Sequence, residues 1–78
     1  MSRTTQALKE SVKQLLEVDL TDEQLTDGTA FKDLNIDSLD TIEVLITVED
    51  KLDIQLDDAR LEKLQNISEL VQYLREFD

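Results

Sequence analysis

From Ser38 to Leu52 the chain repeats an aliphatic residue every three or four positions: Ile42, Leu45, Val48 and Leu52. At about 100° per residue these four share one side of an α-helix, with Thr41 and Val44 flanking them. That side is expected to face a core. The same spacing recurs twice. Leu8, Val12, Leu15 and Leu16 mark a first helix over about Thr5–Leu16, after a frayed end at residues 1–4. Ile67, Leu70, Val71 and Leu74 mark a last helix over about Ile67–Glu76, with Tyr73 and Phe77 near its edge. Before it, Asp57 or Asp58 opens a short helix, about Asp58–Leu64, that turns Leu61 and Leu64 inward. A chain with no Pro, one Gly and three aromatic residues (Phe31, Tyr73 and Phe77) favours helices over a sheet. The expected fold is all-α: a small antiparallel helical bundle of three principal helices, a short third helix before the last, and a long first loop.

That loop, from Glu17 to about Asp37, is long for a compact domain and must be packed or functional. Val18, Leu20, Leu25 and Phe31 are spaced to anchor it. Thr21-Asp22-Glu23-Gln24 has the spacing of a capping box, which predicts one short turn, and Ala30–Leu34 predicts another. Gly28 is the natural bend. Asn66-Ile67-Ser68-Glu69 reads as the cap of the last helix. With 78 residues, one domain over residues 1–78 is expected, acting as a monomer. Such a chain buries only about 60–65% of its extended surface, so its stability is modest.

Nineteen acidic residues against eight basic ones leave a net charge of −11. Nucleic acids and anionic membranes are excluded as partners, because phosphate binding needs Lys and Arg clusters that are absent here. Basic protein surfaces are the expected partners, met quickly through long-range attraction. Cys and His are both missing, so no disulfide is possible and no metal site is expected. No apolar run is long enough for a signal peptide or a membrane span, and a cytoplasmic location is expected on that ground. There is no Gly-rich phosphate loop, and no base in the sequence to activate Ser38 as a nucleophile. The chain is not expected to be an enzyme.

An Asp37-Ser38 pair opening a helix has an ordinary explanation: either side chain can accept from a first-turn N–H that lacks a partner. The free N–H groups and positive dipole end of such a helix also suit a phosphate. Beyond the pair, the side of the helix away from the core carries Leu39, Asp40, Glu43, Ile46, Thr47 and Asp50. Two large aliphatics among carboxylates, on a face that should be wet, point to a docking surface.

In full, Phe31-x-x-Leu34, then Asp37-Ser38-Leu39-Asp40-Thr41-Ile42-Glu43, then Glu49-Asp50-Lys51-Leu52 and Ile54, resembles the attachment site of acyl carrier proteins. A short acidic helix, Ile67 opening the last one and Tyr73 near its end extend the similarity over nearly the whole chain. The resemblance implies that a phosphopantetheinyl transferase couples Ser38 to 4′-phosphopantetheine from coenzyme A, forming a phosphodiester. The cofactor's thiol would carry acyl groups as thioesters for fatty-acid or polyketide-type biosynthetic enzymes. Asp37 would help hold the transferase's magnesium. Leu39, Asp40, Glu43, Ile46, Glu49 and Asp50 match the family's recognition face, where basic docking patches of the transferase and the acyl-processing enzymes would bind. Ile42, Leu45, Leu61, Ile67 and Leu70 would line a cleft for the acyl chain, with plain packing as the competing reading.

The chain departs from the family at four places. Asn35 stands where Gly is usual, and Asn is the non-Gly residue most tolerant of a left-handed backbone. Asp57 replaces a usual Pro, leaving the entry to the short helix less rigid. Lys51 sits where an acidic residue is common, and Arg60 adds another cation nearby. If Ser38 were only a cap, the chain would instead be an acidic helical module that binds a basic protein surface without a cofactor.

Overall fold

The computed structural model describes residues 3–78, which form α1 (Arg3–Leu16), α2 (Asp22–Thr26), α3 (Ser38–Leu52), α4 (Asp58–Leu61) and α5 (Ile67–Leu74). Two 3-10 turns, Phe31–Leu34 and Arg75–Phe77, complete the order. Among the described residues there is no β-strand, only an isolated bridge between Ala30 and Asn66. The Ile67 N–H also donates to Thr29 O at 3.1 Å, tying the first loop to the start of α5. No helix among the described residues is long and apolar enough to cross a membrane.

The core lies where α1, α3 and α5 meet. Leu8 and Val12 enter it from α1, Val44, Leu45 and Val48 from α3, and Ile67, Leu70, Val71 and Leu74 from α5. Each fully buried aliphatic contributes about 1.5–3 kcal/mol of transfer free energy, so these nine side chains carry most of the fold. Leu20 and Leu25 close the core from the long loop, with Val18 and Phe31 packed at its margin. The capping box forms as expected: Thr21 Oγ1 accepts from Gln24 N–H, and Gln24 Oε1 accepts from Thr21 N–H. The loop is thus two short turns pinned by apolar anchors.

Several expectations need correction. The chain is not frayed at residues 3–4: α1 starts at Arg3, Thr4 is fully buried, and its N–H donates to the Asp78 carboxylate at 3.0 Å. Residues 1 and 2 lie outside the described residues. The C-terminal residue caps the first helix, a contact 74 positions apart that no local pattern announces. Leu15 is 40% exposed and adds little to the core. Ile42 is not a core residue either; it is 54% exposed. At about 100° per residue it sits roughly 110° round from the middle of the buried arc of α3, beside Leu39 and Ile46. The short helix ends at Leu61 rather than Leu64, and residues 62–64 continue as a turn closed by Lys63 N–H to Arg60 O and Leu64 N–H to Leu61 O. Tyr73 is buried, not at an edge, and its hydroxyl accepts from Asp57 N–H at 2.8 Å. Beyond these corrections, two exposed ion pairs join α1 to the loop, Lys9 with Asp22 at 3.4 Å and Lys13 with Asp19 at 3.0 Å.

Ser11 sits inside α1 with a buried hydroxyl that has no hydrogen-bond partner. A buried, unsatisfied donor is a penalty that deletion removes. Ser11→Ala should therefore raise stability by about 1 kcal/mol, read from chemical denaturation; a loss of stability would show that the hydroxyl is satisfied in solution. The left-handed Asn35 gives a second expectation. Asn35→Gly should be tolerated, while Asn35→Val should cost about 1–2 kcal/mol, because a β-branched side chain is strained at positive φ.

Candidate functional site

The start of α3 is built from four consecutive residues. The 3-10 turn Phe31–Leu34 ends on Asn35, whose backbone is left-handed at φ 60°. That reversal lets Asn35 N–H reach Lys32 O and Ile36 N–H reach Phe31 O, both at 3.1 Å. Ile36 is then driven into the protein and buried. Asp37 follows with an extended backbone and caps α3, its Oδ1 accepting from Asp40 N–H at 2.8 Å. Its carbonyl receives both Thr41 N–H and Thr41 Oγ1–H at 3.0 Å.

Of the two candidate caps, Asp37 takes the role and Ser38 does not. Ser38 is the first helical residue, it is exposed, and its hydroxyl makes no hydrogen bond among the described residues. Around it lie first-turn N–H groups that the helix leaves unpaired. A solvent-facing hydroxyl beside such N–H groups fits a phosphodiester on Ser38, since both the reacting atom and the anion's hydrogen-bond donors are accessible. Among the described residues no group of three or more Asp, Glu, His or Cys is placed to hold a metal ion. A cation at Asp37 would need further ligands from another molecule or from solvent.

A groove of about 1110 Å³ opens beside Ser38. Ile42, Leu45 and Ile46 of α3, Leu61 of α4 and Leu70 of α5 line it. Phe31, Lys32, Ile36 and Leu64 line it as well. Four of the five expected cleft residues, Ile42, Leu45, Leu61 and Leu70, are therefore brought together. Ile67 is not among them: with Leu8 and Val12 it lines a small adjoining void of about 10 Å³ that shares Phe31, Ile36 and Leu70 with the groove. That void has room for about one water at most. Phe31, Ile46 and Leu64 line the groove although sequence reasoning did not assign them to it. Leu64 was detectable from its spacing to Leu61, whereas Ile46 was read only as part of the docking face.

On the outward face of α3, Leu39 is 64% and Ile46 52% exposed, and Ile42 joins them in a continuous apolar stripe. Glu43 and Asp50 are exposed alongside, and Asp40 is half-buried at the first turn. Glu49 differs from its neighbours. Its Oε2 accepts from Leu56 N–H at 2.8 Å, so it also fastens the connection between α3 and α4.

A family model described as the phosphopantetheine attachment site matches residues 6–74. The chain is also 38% identical over 56 residues to the mitochondrial acyl carrier protein of Saccharomyces cerevisiae, a match covering 70% of this chain and 45% of that relative. The chain thus spans less than half the length of the relative. No solved structure matches. The mitochondrial relative overturns the expected cytoplasmic location, which rested only on the lack of an apolar run; a short acidic chain is equally compatible with an organelle. The chain belongs to the acyl carrier protein family, whose prosthetic group is 4′-phosphopantetheine and whose members are carriers rather than enzymes.

Proposed function

We propose that Ser38 is the residue that takes 4′-phosphopantetheine, and that the chain carries acyl groups to biosynthetic enzymes as a monomeric single domain. The observation that carries this reading is the spare hydroxyl: Asp37 alone caps α3, and Ser38 Oγ is exposed and unengaged. In the coupling step Ser38 Oγ bonds to the phosphorus that bears the pantetheine arm. The pyrophosphate bond of coenzyme A would break, adenosine 3′,5′-bisphosphate would leave, and the hydroxyl proton would pass to a base on the transferase. When bound, the group supplies the thiol on which acyl chains ride as thioesters; the chain has no Cys of its own.

The chain's residues do three things around that arm. Asp37 holds the first turn of α3 and presents a carboxylate beside Ser38, suited to the transferase's magnesium. The groove beside Ser38, lined by Ile42, Leu45, Leu61 and Leu70, offers apolar shelter for an acyl chain. Leu39 and Ile46, with Asp40, Glu43 and Asp50, form the surface for partners with basic docking patches, and Glu49 borders it. Contacts of that kind are weak and fast, as a shuttle among several enzymes requires.

Incubation with a phosphopantetheinyl transferase and coenzyme A should add one cofactor mass and one titratable thiol. Ser38→Ala should abolish both while keeping the fold, because the cap is Asp37. A thiol gained by the Ser38→Ala chain, or none gained by the parent, refutes the assignment. Reversing charge with Asp40→Lys and Glu43→Lys should slow the modification and flatten its dependence on salt. An unchanged rate and salt dependence would move the docking surface elsewhere.

A further inference from the structure

The groove has one weakly packed wall. α4 contributes Asp58 and Leu61 to it, but is four residues long and has a single inward aliphatic, the half-buried Leu61. Burial of so little apolar surface holds it loosely. Its firm attachments lie on the other side, in the C-terminal segment. Tyr73 Oη accepts from the N–H of Asp57, immediately before α4, at 2.8 Å. Arg60, within α4, donates to both oxygens of Glu76: Nη1 to Oε1 at 3.2 Å and Nη2 to Oε2 at 2.7 Å. The same guanidinium covers the Tyr73 ring, with Cζ 4.3 Å from the ring centroid. Phe77 in turn meets Tyr73 edge-on, the centroids 5.7 Å apart.

A fork-to-fork pair stacked on an aromatic face fixes the orientation of the guanidinium, which a lone exposed ion pair does not. The hydrogen bonds to Arg60 also hold the Glu76 carboxyl below its ordinary value. Both side chains are about half exposed, and screening keeps the effect on global stability small. Locally the effect is larger. A short element with few other attachments opens on its own, without unfolding the helices behind it.

We propose that Arg60 is a positioning residue for the groove: clamped between Glu76 and Tyr73, it sets how closely α4 stands against α3, and so how well a long apolar chain is enclosed. The inference rests on the carrier reading above and adds to it the part that regulates enclosure of the cargo.

The test compares the parent with Arg60→Met, Glu76→Gln and Arg60→Lys. Amide hydrogen exchange is read on the chain without cofactor. Hydroxylamine cleavage is read on the acetyl and octanoyl thioesters of the cofactor-loaded chain. Arg60→Met and Glu76→Gln should speed exchange at residues 58–64 several-fold and leave α1 and α3 protected. Octanoyl cleavage should accelerate several-fold, while acetyl cleavage stays constant because two carbons do not reach the groove. Arg60→Lys, which keeps a cation over Tyr73, should recover part of both effects. Unchanged exchange at 58–64, or octanoyl cleavage that does not outpace acetyl cleavage, overturns the clamp. If no cofactor can be loaded at Ser38, the carrier reading fails separately, and exchange in the unmodified chain alone decides whether Arg60 holds α4.

Discussion

The 2.8 Å hydrogen bond from Asp40 N–H to the Asp37 carboxylate is the contact on which the arrangement at the start of α3 depends. A helix start leaves its first N–H groups without partners, and one short acidic side chain there answers both that need and the positive end of the dipole. With Asp37 in that role, the residue after it has no structural duty. Asn35 reverses the chain, Ile36 anchors it in the protein, Asp37 caps the helix, and Ser38 faces outward on a start that is held from both sides. Had Ser38 been the cap, its oxygen would be accepting an N–H and would be a poorer target for an incoming electrophile. With Asp37 holding the helix, the hydroxyl beside it is left free for the attachment proposed at Ser38.

α3 then serves two solvents. Val44, Leu45 and Val48 make its buried arc, and Leu39, Ile42 and Ile46 make a stripe on the opposite flank. The groove lies between them, because α4 is too short to cover α3 as a full-length helix would. In a chain of this size every uncovered aliphatic is lost to the core, and a bundle that buries about 60–65% of its extended surface has little to spare. An open groove is therefore a functional expense. It is bearable because α1, α5 and the rest of α3 supply most of the core, to which α4 adds only the half-buried Leu61 at the margin.

Local patterns made much of this legible. The capping box at Thr21, the 3-10 turn at Phe31–Leu34, the boundaries of α3 and the anchors of the long loop each follow from residues within one or two turns of one another. What escaped depends on contacts between distant parts. Asp78 capping α1, Tyr73 receiving Asp57 N–H, and Glu49 fastening Leu56 join positions from 7 to 74 apart, and none leaves a periodic trace. Ile42 was misplaced for a different reason. Helical spacing tells which residues share a side but not where the middle of the buried arc falls, and neighbouring helices decide that. The choice between Asp37 and Ser38 as cap was open for the same reason: both residue types are competent, and only the backbone geometry selects one. The compartment was beyond reach altogether, since a missing apolar run describes a segment and not an address.

The distribution of charge completes the argument for the outward face of α3. Four of the chain's eight cations pair with carboxylates off this face: Lys9 with Asp22, Lys13 with Asp19, Lys51 with Glu10 and Arg60 with Glu76. Among the described residues, Asp40, Glu43 and Asp50 have no such partner. Internal pairing would have cancelled the local field and added little stability, because exposed ion pairs contribute at most about 1 kcal/mol. Left uncancelled, the same carboxylates project a negative potential beyond the surface at moderate ionic strength, with a screening length of about 8–10 Å. On the docking proposed for this face, such a field would draw and orient a basic partner, and the apolar stripe would supply the contact. The face is therefore acidic because its charges are not needed to hold the fold, and apolar because the core never required those side chains.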